Sequence, residues 1–315
     1  MDISLYKRKG VVANKHMLTL ANYSVNEIYE IIHTAVMLKQ KQHAGKKHEY
    51  LKGKTLAMIF AKSSTRTRVS FEQGIKQLGG TALVLRQDDI QLGRGETIRD
   101  TALVLGRYGI DGIMIRTFKQ SDVEELAKYS SCPVINGLTD DYHPCQVLAD
   151  LMTIYEHFGK LEGLKMAYFG DGNNMAHSLM IGGAKVGMEV VCCCPDGYRP
   201  NEDIVNSAAQ FGKVSVTDNV DEAAKDCDVI YTDVFFSMGQ EKTKEKIDAL
   251  MPYQVNEQLM AKAARGAVFM HCLPAHRGEE VTEGVIDGAQ SIVFEEAENR
   301  LHAQKAVMYL LMKNR

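Results

Sequence analysis

Short apolar runs rich in β-branched residues alternate along this chain with segments whose apolar positions recur every three to four residues. The runs predict strands near 55–60 (TLAMIF), 81–85 (TALVL), 112–115 (GIMI) and 133–135 (PVI). A second series follows at 166–169, 189–193, 214–217, 229–232, 267–272 and 291–294. Strands separated by helical segments are the signature of βα units building parallel sheets, so the fold class is α/β. Ser24 with Glu27 three residues on has the spacing of a capping box, and Ile28, Ile31, Ile32, Ala35 and Leu38 then fall on one helical face. Between the two strand series, Val147, Leu151, Ile154 and Phe158 share a helical face, with Pro144 suited to the first helical position and Gly159 to the stop.

Two series of strands imply two domains, each with a central parallel sheet flanked by helices and joined by interdomain helices, and 315 residues suffice for both. The expected division is 1–146 and 147–300, with a C-terminal helix over 301–315, carrying Ala303, Val307 and Leu310 on one face, packing back on the first. The hydrophobic content of 45% can fill two cores, and the net charge of -3 offers no global field for nucleic acid or an anionic membrane. No apolar run reaches the ~18 residues of a membrane span and no signal-peptide core opens the chain, so a cytoplasmic location is expected. Seven cysteines, three of them adjacent at Cys192, Cys193 and Cys194, make neither a disulfide framework nor a zinc spacing. No metal or organic cofactor is expected.

The segment from Lys62 to Arg68, KSSTRTR, packs four hydroxyls and three cations into seven residues where the first predicted strand hands over to a helix carrying Phe71, Ile75 and Leu78. A helix N-terminus presents free N–H groups and a positive dipole end, and Arg66 adds a planar fork matched to phosphate oxygens. The cluster therefore suits a phosphorylated metabolite; no Walker-type glycine loop points to a nucleoside triphosphate.

Ser64-Thr65-Arg66-Thr67-Arg68 also resembles the carbamoyl phosphate signature of the aspartate and ornithine carbamoyltransferase family. Three further motifs agree in order: His143-Pro144-Cys145-Gln146, Asp233 with Ser237-Met238-Gly239, and His271-Cys272-Leu273-Pro274, with Glu298-Asn299-Arg300 near the end. The resemblance covers most of the chain. It implies transfer of a carbamoyl group from carbamoyl phosphate to an amine through a tetrahedral oxyanion, with residues 1–146 holding carbamoyl phosphate and 147–300 the acceptor. Ser64, Thr65, Arg66 and Thr67 would cradle the phosphate; Thr67, Arg116 and His143 would donate to the carbamoyl oxygen; Gln146, with the carbonyls of Cys272 and Leu273, would meet the carbamoyl nitrogen or the incoming amine. Arg300 would reach the same site. Gln91 matches a position that reaches across a subunit boundary, which implies a homotrimer with shared sites. A cleft built from both domains would close once carbamoyl phosphate is bound.

The acceptor is read from the segment after the strand at 229–232. Asp233 can hold an α-ammonium, while Ser237, Met238 and Asn174 can hold an α-carboxylate. The loop resembles that of ornithine carbamoyltransferases, with Phe235 and Phe236 where a tryptophan and a smaller apolar residue are usual. An aspartate acceptor would want a further cation beside Leu273, and none is there. L-Ornithine is the expected substrate, giving citrulline in arginine biosynthesis, with Cys272 near Asp233 as a polarisable, ionisable partner in deprotonating the amine. Putrescine or N-acetylornithine would share the carbamoyl phosphate half. Gly170-Asp171-Gly172 after a strand raises a competing NAD-dependent oxidoreductase, but Met175 stands at the third glycine position. A non-catalytic relative would have no chemical reason to keep Arg66, Arg116, His143, Gln146, Asp233, Cys272 and Arg300 together.

Overall fold

The computed structural model describes residues 2–92, 95–237 and 241–314. Among these residues nine strands and twelve α-helices follow in order. The strands are β1 (Thr55–Phe60), β2 (Thr81–Arg86), β3 (Gly112–Arg116), β4 (Val134–Leu138), β5 (Lys165–Phe169), β6 (Glu189–Cys193), β7 (Val214–Thr217), β8 (Val229–Thr232) and β9 (Val268–His271). The helices are α1 (Val25–His43), α2 (Thr65–Gln77), α3 (Ile98–Arg107), α4 (Gln120–Tyr129), α5 (Pro144–Phe158), α6 (Asn174–Lys185), α7 (Glu202–Ala209), α8 (Val220–Ala224), α9 (Lys244–Leu250), α10 (Glu257–Met260), α11 (Glu283–Ile286) and α12 (Val293–Met312).

The chain divides into two compact units. The first comprises Leu5–Met152 and the chain from Asn299 onward; the second is Thr153–Glu298 with the first few residues. The divisions fall inside α5 and α12, so each of these helices contributes residues to both units.

In the first unit four parallel strands run in the order β2-β1-β3-β4. Leu56–Phe60 of β1 and all of β3 are buried, as expected of strands covered on both faces, whereas β2 lies at an edge and alternates between exposed and half-buried positions. The capping box forms as its spacing predicts: Ser24 Oγ accepts from the Glu27 N–H, and the Glu27 carboxylate accepts from the Ser24 N–H at 2.9 Å. Ile28, Ile31, Ile32, Ala35 and Leu38 are all buried on α1. Beside them Glu30, fully buried, accepts from the Tyr6 hydroxyl at 3.0 Å and from the N–H groups of Lys9 and Gly10 at 2.5 and 2.8 Å, anchoring the N-terminal segment.

In the second unit five parallel strands run in the order β7-β6-β5-β8-β9. The expected strand at 291–294 is absent. Ser291 makes only an isolated bridge with Phe269, and Val293 already begins α12, which is therefore longer at its start than the helix expected over 301–315. The segment is β-branched because Val293 must fill the core beside Phe269, and that local composition does not decide between strand and helix. The triple cysteine lies at the end of β6 and just beyond it, buried as the sequence suggested. No helix among the described residues is long and apolar enough to cross a membrane.

Replacing Glu30 by Ala removes the shared acceptor of the Tyr6 hydroxyl and of the Lys9 and Gly10 N–H groups, which are half-buried or exposed. Urea denaturation followed by circular dichroism is expected to show a loss of about 2 kcal/mol, from hydrogen bonds to a charged acceptor that water in part replaces. An unchanged midpoint would mean that the N-terminal segment is held by other contacts.

Candidate active site

In an open parallel sheet a crevice forms beyond the carboxyl ends of the two neighbouring strands whose crossovers leave in opposite directions. In the first unit those strands are β1 and β3, and in the second they are β5 and β8. Most of the residues singled out from sequence gather at these two places, Gln91 and Met238 excepted.

At the first, β1 runs out at Phe60, and the N–H groups of Ala61 and Lys62 donate to the Arg116 carbonyl at 2.9 and 3.3 Å. The chain then turns into α2, with Ser64 as N-cap accepting from the Thr67 N–H at 3.2 Å. The opening N–H groups of a helix have no intrahelical acceptor, so this end offers donors and about half a positive charge. Lys62 pairs with Asp140 and lies 4.3 Å from the Phe118 ring centre, tying this turn to the segments that follow β3 and β4. Lys62 was not singled out beyond the cluster it opens; its burial is what marks it as part of the scaffold.

Thr67 is fully buried, and two guanidinium groups converge on its hydroxyl: Arg116 Nη1 at 3.4 Å and Arg300 Nη2 at 3.2 Å. Arg116 ends β3, while Arg300 arrives on α12, 233 residues further along the chain than Thr67. Both arginines are buried, as is His143, whose carbonyl opens the hydrogen bonding of α5 by accepting from the Gln146 and Val147 N–H groups. Burial, then the charges of Arg300 and Arg116, holds the His143 imidazole well below the usual histidine range. It is therefore neutral at physiological pH. Gln146, fully buried, donates its Nε2 to Asp150 Oδ1 at 2.8 Å, which orients its amide carbonyl as the acceptor available to an NH2 group. Asp150 is the orienting partner that a motif search does not reveal, since it lies one helical turn beyond Gln146 on the same face.

Ser64, Thr65, Arg66, Thr67, Arg116, His143, Gln146 and Arg300 thus belong to one unit. Arg66 and Ser64 are half-exposed on the turn into α2 and Thr65 is exposed. Gln91 is exposed on the loop after β2, and no hydrogen bond among the described residues ties its side chain to the others. A groove of about 620 Å³ opens on the β2 side of the turn into α2, lined in part by Ser63, Ser64, Thr65, Arg68 and Arg86.

At the second crevice Asp233 follows β8 and is buried. Its Oδ1 accepts from the Val234 N–H at 2.8 Å and from the Cys272 thiol at 3.1 Å, while Oδ2 accepts from Asn173 Nδ2 at 2.9 Å. Asn173 caps α6 with its Oδ1, accepting from the N–H groups of Met175 and Ala176. Asn173 therefore holds Asp233 directly, and Asn174 beside it begins α6, nearly buried. The sequence reading chose Asn174 and passed over Asn173; the signal for Asn173 was its position before a helical run, the place of a cap. The same geometry answers the dinucleotide reading. Gly172 is required because a Cβ there would strike the Pro200 nitrogen, so this glycine serves the approach of a neighbouring protein loop.

Cys272 follows β9. Its thiol donates to Asp233 Oδ1. The next residue, Leu273, has φ +54, a left-handed conformation costing about 1–2 kcal/mol. Its N–H donates to His271 Nδ1 at 2.8 Å, which leaves Nε2 as the donor to Glu280 Oε1 at 3.2 Å. His271 and Glu280 are fully buried. Burial pushes the Glu280 carboxyl up, but hydrogen bonds from His271 and the His276 N–H outweigh it and leave it below its ordinary value. Glu296 completes the frame, accepting from the His271 N–H at 3.0 Å and the Tyr231 hydroxyl at 3.0 Å. Ser237 is half-buried, and Met238 with Gly239 lies outside the described residues.

A parallel α/β crevice with an anion-binding helix end, paired guanidiniums and a neutral histidine fits a transferase acting on a small phosphorylated donor. The family comparison agrees. The carbamoyl-P binding domain of aspartate/ornithine carbamoyltransferase matches residues 15–156, and the Asp/Orn binding domain of the same family matches residues 162–311. This chain belongs to the aspartate/ornithine carbamoyltransferase family. It is 59% identical over 304 residues to an ornithine carbamoyltransferase of Anoxybacillus flavithermus, spanning 95% of this chain and 96% of that one. It is 54% identical over 307 residues to an anabolic ornithine carbamoyltransferase of Pyrococcus furiosus, spanning 96% and 97%. Among solved structures, the ornithine carbamoyltransferase from Pyrococcus furiosus superposes with a TM-score of 0.93 over 96% of this chain and 98% of that one, at 54% identity. The ornithine transcarbamoylase from Giardia lamblia reaches 0.86 at 33% identity, over 96% and 99%.

The depressed basicity of His143 has a direct readout. In ¹⁵N spectra of the imidazole nitrogens, His143 is expected to keep the neutral pattern at pH ~5.5, where an unperturbed histidine is mostly protonated. Because the unfolded chain takes up a proton there and the folded site does not, stability contributed by this group is complete above pH ~6.5 and is lost as the pH falls below it. An imidazolium signal from His143 at pH ~6.5 would refute the arrangement.

Proposed function

We propose that this chain is an ornithine carbamoyltransferase, moving the carbamoyl group of carbamoyl phosphate to the side-chain amine of L-ornithine to give L-citrulline and phosphate. The observation that carries the reading is the convergence of Arg116 and Arg300 on the Thr67 hydroxyl beside a neutral, buried His143. These groups cost several kcal/mol each to bury, and a dianionic donor whose charge moves onto a carbamoyl oxygen is the ligand that offsets the cost.

In this mechanism the N-terminal end of α2, with Ser64, Thr65, Arg66 and Thr67, holds the phosphate. Arg116, His143 and the Thr67 hydroxyl donate to the carbamoyl oxygen as it becomes an oxyanion, and a neutral His143 can donate without repelling the two cations. Gln146 accepts from the carbamoyl NH2. Asp233 takes the α-ammonium of ornithine, while Asn174, Ser237 and Met238 receive its α-carboxylate. The carbonyls of Cys272 and Leu273 meet the side-chain amine, which gives one proton to water before it attacks the carbamoyl carbon and passes a second to the departing phosphate as the C–O bond breaks. With its hydrogen bond aimed at Asp233, the Cys272 thiol serves this step by orienting the carboxylate. Collapse of the tetrahedral intermediate expels phosphate, whose negative charge stays with Arg66 and Arg300.

The same reading includes synthesis in the direction of arginine, a cytoplasmic location and a homotrimer with sites shared between subunits. Support for self-association comes from the edge of the first sheet. Leu83 on β2, Val69 on α2 and Leu103 and Val104 on α3 are exposed apolar residues, and the groove beside the phosphate turn is open on the β2 side. Light scattering after gel filtration is expected to give about three times the mass of 35.1 kDa, and a monomer at assay concentration would remove the shared-site element.

Citrulline formation from carbamoyl phosphate tests the main reading, with ornithine, putrescine, N-acetylornithine and aspartate as parallel acceptors and Arg66→Ala as the blank. Ornithine is expected to exceed each of the others by about a hundredfold or more in kcat/KM, since a site built for an α-ammonium and α-carboxylate leaves polar groups unpaired with the wrong acceptor. Preference for another amine would keep the phosphate half and discard the amino-acid half.

A further inference from the structure

Lys246 has no part in the mechanism above, yet three substrate-facing segments of the second unit meet on its ammonium. It projects from α9 and is nearly buried. Nζ donates to Asp171 Oδ2 at 2.7 Å, with both side chains close to nine-tenths buried. It also lies 5.4 Å from the Tyr198 ring centre and 5.5 Å from that of Phe236.

Each contact leads to the amino-acid half of the site. Asp171 lies two residues before Asn173, whose Nδ2 holds Asp233, and the intervening Gly172 N–H donates to the Tyr198 carbonyl at 2.8 Å. Tyr198 belongs to the loop whose Asn201 N–H donates to His177 on α6 at 3.0 Å. Phe236 stands immediately before Ser237 and packs with Phe235, Leu250, Tyr198 and Ile247 in a small apolar cluster of its own. A buried ion pair with two aromatic faces against the cation is fixed in geometry, because both charges have left water and each is held by the other.

We propose that Lys246 is a positioning residue for the amino-acid substrate, locking the Asp171–Asn174 turn, the Tyr198 loop and the Phe235–Ser237 segment into the arrangement that receives the α-ammonium and α-carboxylate. The proposal rests on the assignment of Asp233, Asn174 and Ser237 to ornithine. A second consequence follows from charge. Asp171 is a carboxylate near Asp233, and its pairing with Lys246 keeps it from competing for the substrate ammonium. Burial raises the Asp171 carboxyl and the Asp233 charge adds to that, while Lys246 opposes both. The unusual Phe235–Phe236 pair also acquires a role, since Phe236 supplies a face for this cation where a smaller apolar side chain would supply none.

The test is steady-state kinetics on the full-length enzyme with each substrate varied in turn, comparing Lys246→Met, Lys246→Arg and Asp171→Asn. Lys246→Met keeps the apolar stem and removes the charge. It is expected to raise the KM for ornithine about tenfold or more while leaving the KM for carbamoyl phosphate within about twofold. Lys246→Arg restores the cation and is expected to recover the ornithine KM to within about threefold of wild type. Asp171→Asn, nearly isosteric, is expected to raise the ornithine KM selectively, and it carries the test should Lys246→Met fail to fold.

Three results overturn the proposal: an unchanged ornithine KM in Lys246→Met, a loss that falls equally on both substrates, or no recovery in Lys246→Arg. Asp233→Asn run in parallel separates the two claims. Wild-type ornithine KM in Asp233→Asn would defeat the assignment of the amino-acid half, and the role of Lys246 with it. Loss of ornithine binding in Asp233→Asn with an unaffected Lys246→Met would defeat the role of Lys246 alone.

Discussion

The constraint on which everything else rests is the order of strands in two parallel sheets. Only where neighbouring crossovers depart in opposite directions do two strand ends leave an uncovered crevice, and each sheet has one such place. In the first unit it puts the turn after β1 next to Arg116 at the end of β3. In the second it puts the turn after β5 next to Asp233 after β8. Each crevice thus receives a helix N-terminus, from α2 or α6, and a functional side chain from the neighbouring strand end. The first is furnished with the guanidinium groups of Arg116 and Arg300 and the second with the Asp233 carboxylate.

The two places solve the problem of buried charge differently. Around Thr67 two guanidinium groups are gathered on one hydroxyl, with His143 kept neutral by burial and by the same two arginines. Around Asp233 the carboxylate accepts from the Val234 N–H, the Asn173 amide and the Cys272 thiol, which hold it in place. The His271, Glu280 and Glu296 frame does the same for the backbone at Leu273, whose left-handed conformation would relax without the His271 contact.

Much of this was legible from sequence, and the reason differs by element. Helix α1 announced itself through the Ser24 and Glu27 capping box, and α5 through Pro144 at its start, because end signals are local chemistry. Strands were visible as runs because both-face burial requires unbroken apolar sequence, as in Leu56–Phe60. Helix α12 was harder to see, since it buries Glu296, Asn299, Arg300, His302, Gln304 and Lys305 as well as its apolar residues, and a helix buried all round shows no amphipathic stripe. Ser291–Phe294 read as a strand because its β-branched composition does not decide between strand and helix. The motif residues could be singled out from sequence, whereas those hydrogen-bonded to them, such as Asn173, Asp150 and Glu280, were not, because their partners lie elsewhere in the sequence or they carry no motif. Strand order itself is a tertiary fact that the alternation of βα units does not encode.

The central claim is that the donor and the amino acid are recognised by separately built sets of side chains. Calorimetric titration of carbamoyl phosphate into Arg300→Gln and Asp233→Asn, without ornithine, tests it most directly. The account predicts about a tenfold or greater loss of affinity in Arg300→Gln, as removal of one charged hydrogen bond implies, and wild-type affinity in Asp233→Asn. Undiminished binding in Arg300→Gln, or an equal loss in both variants, would contradict it.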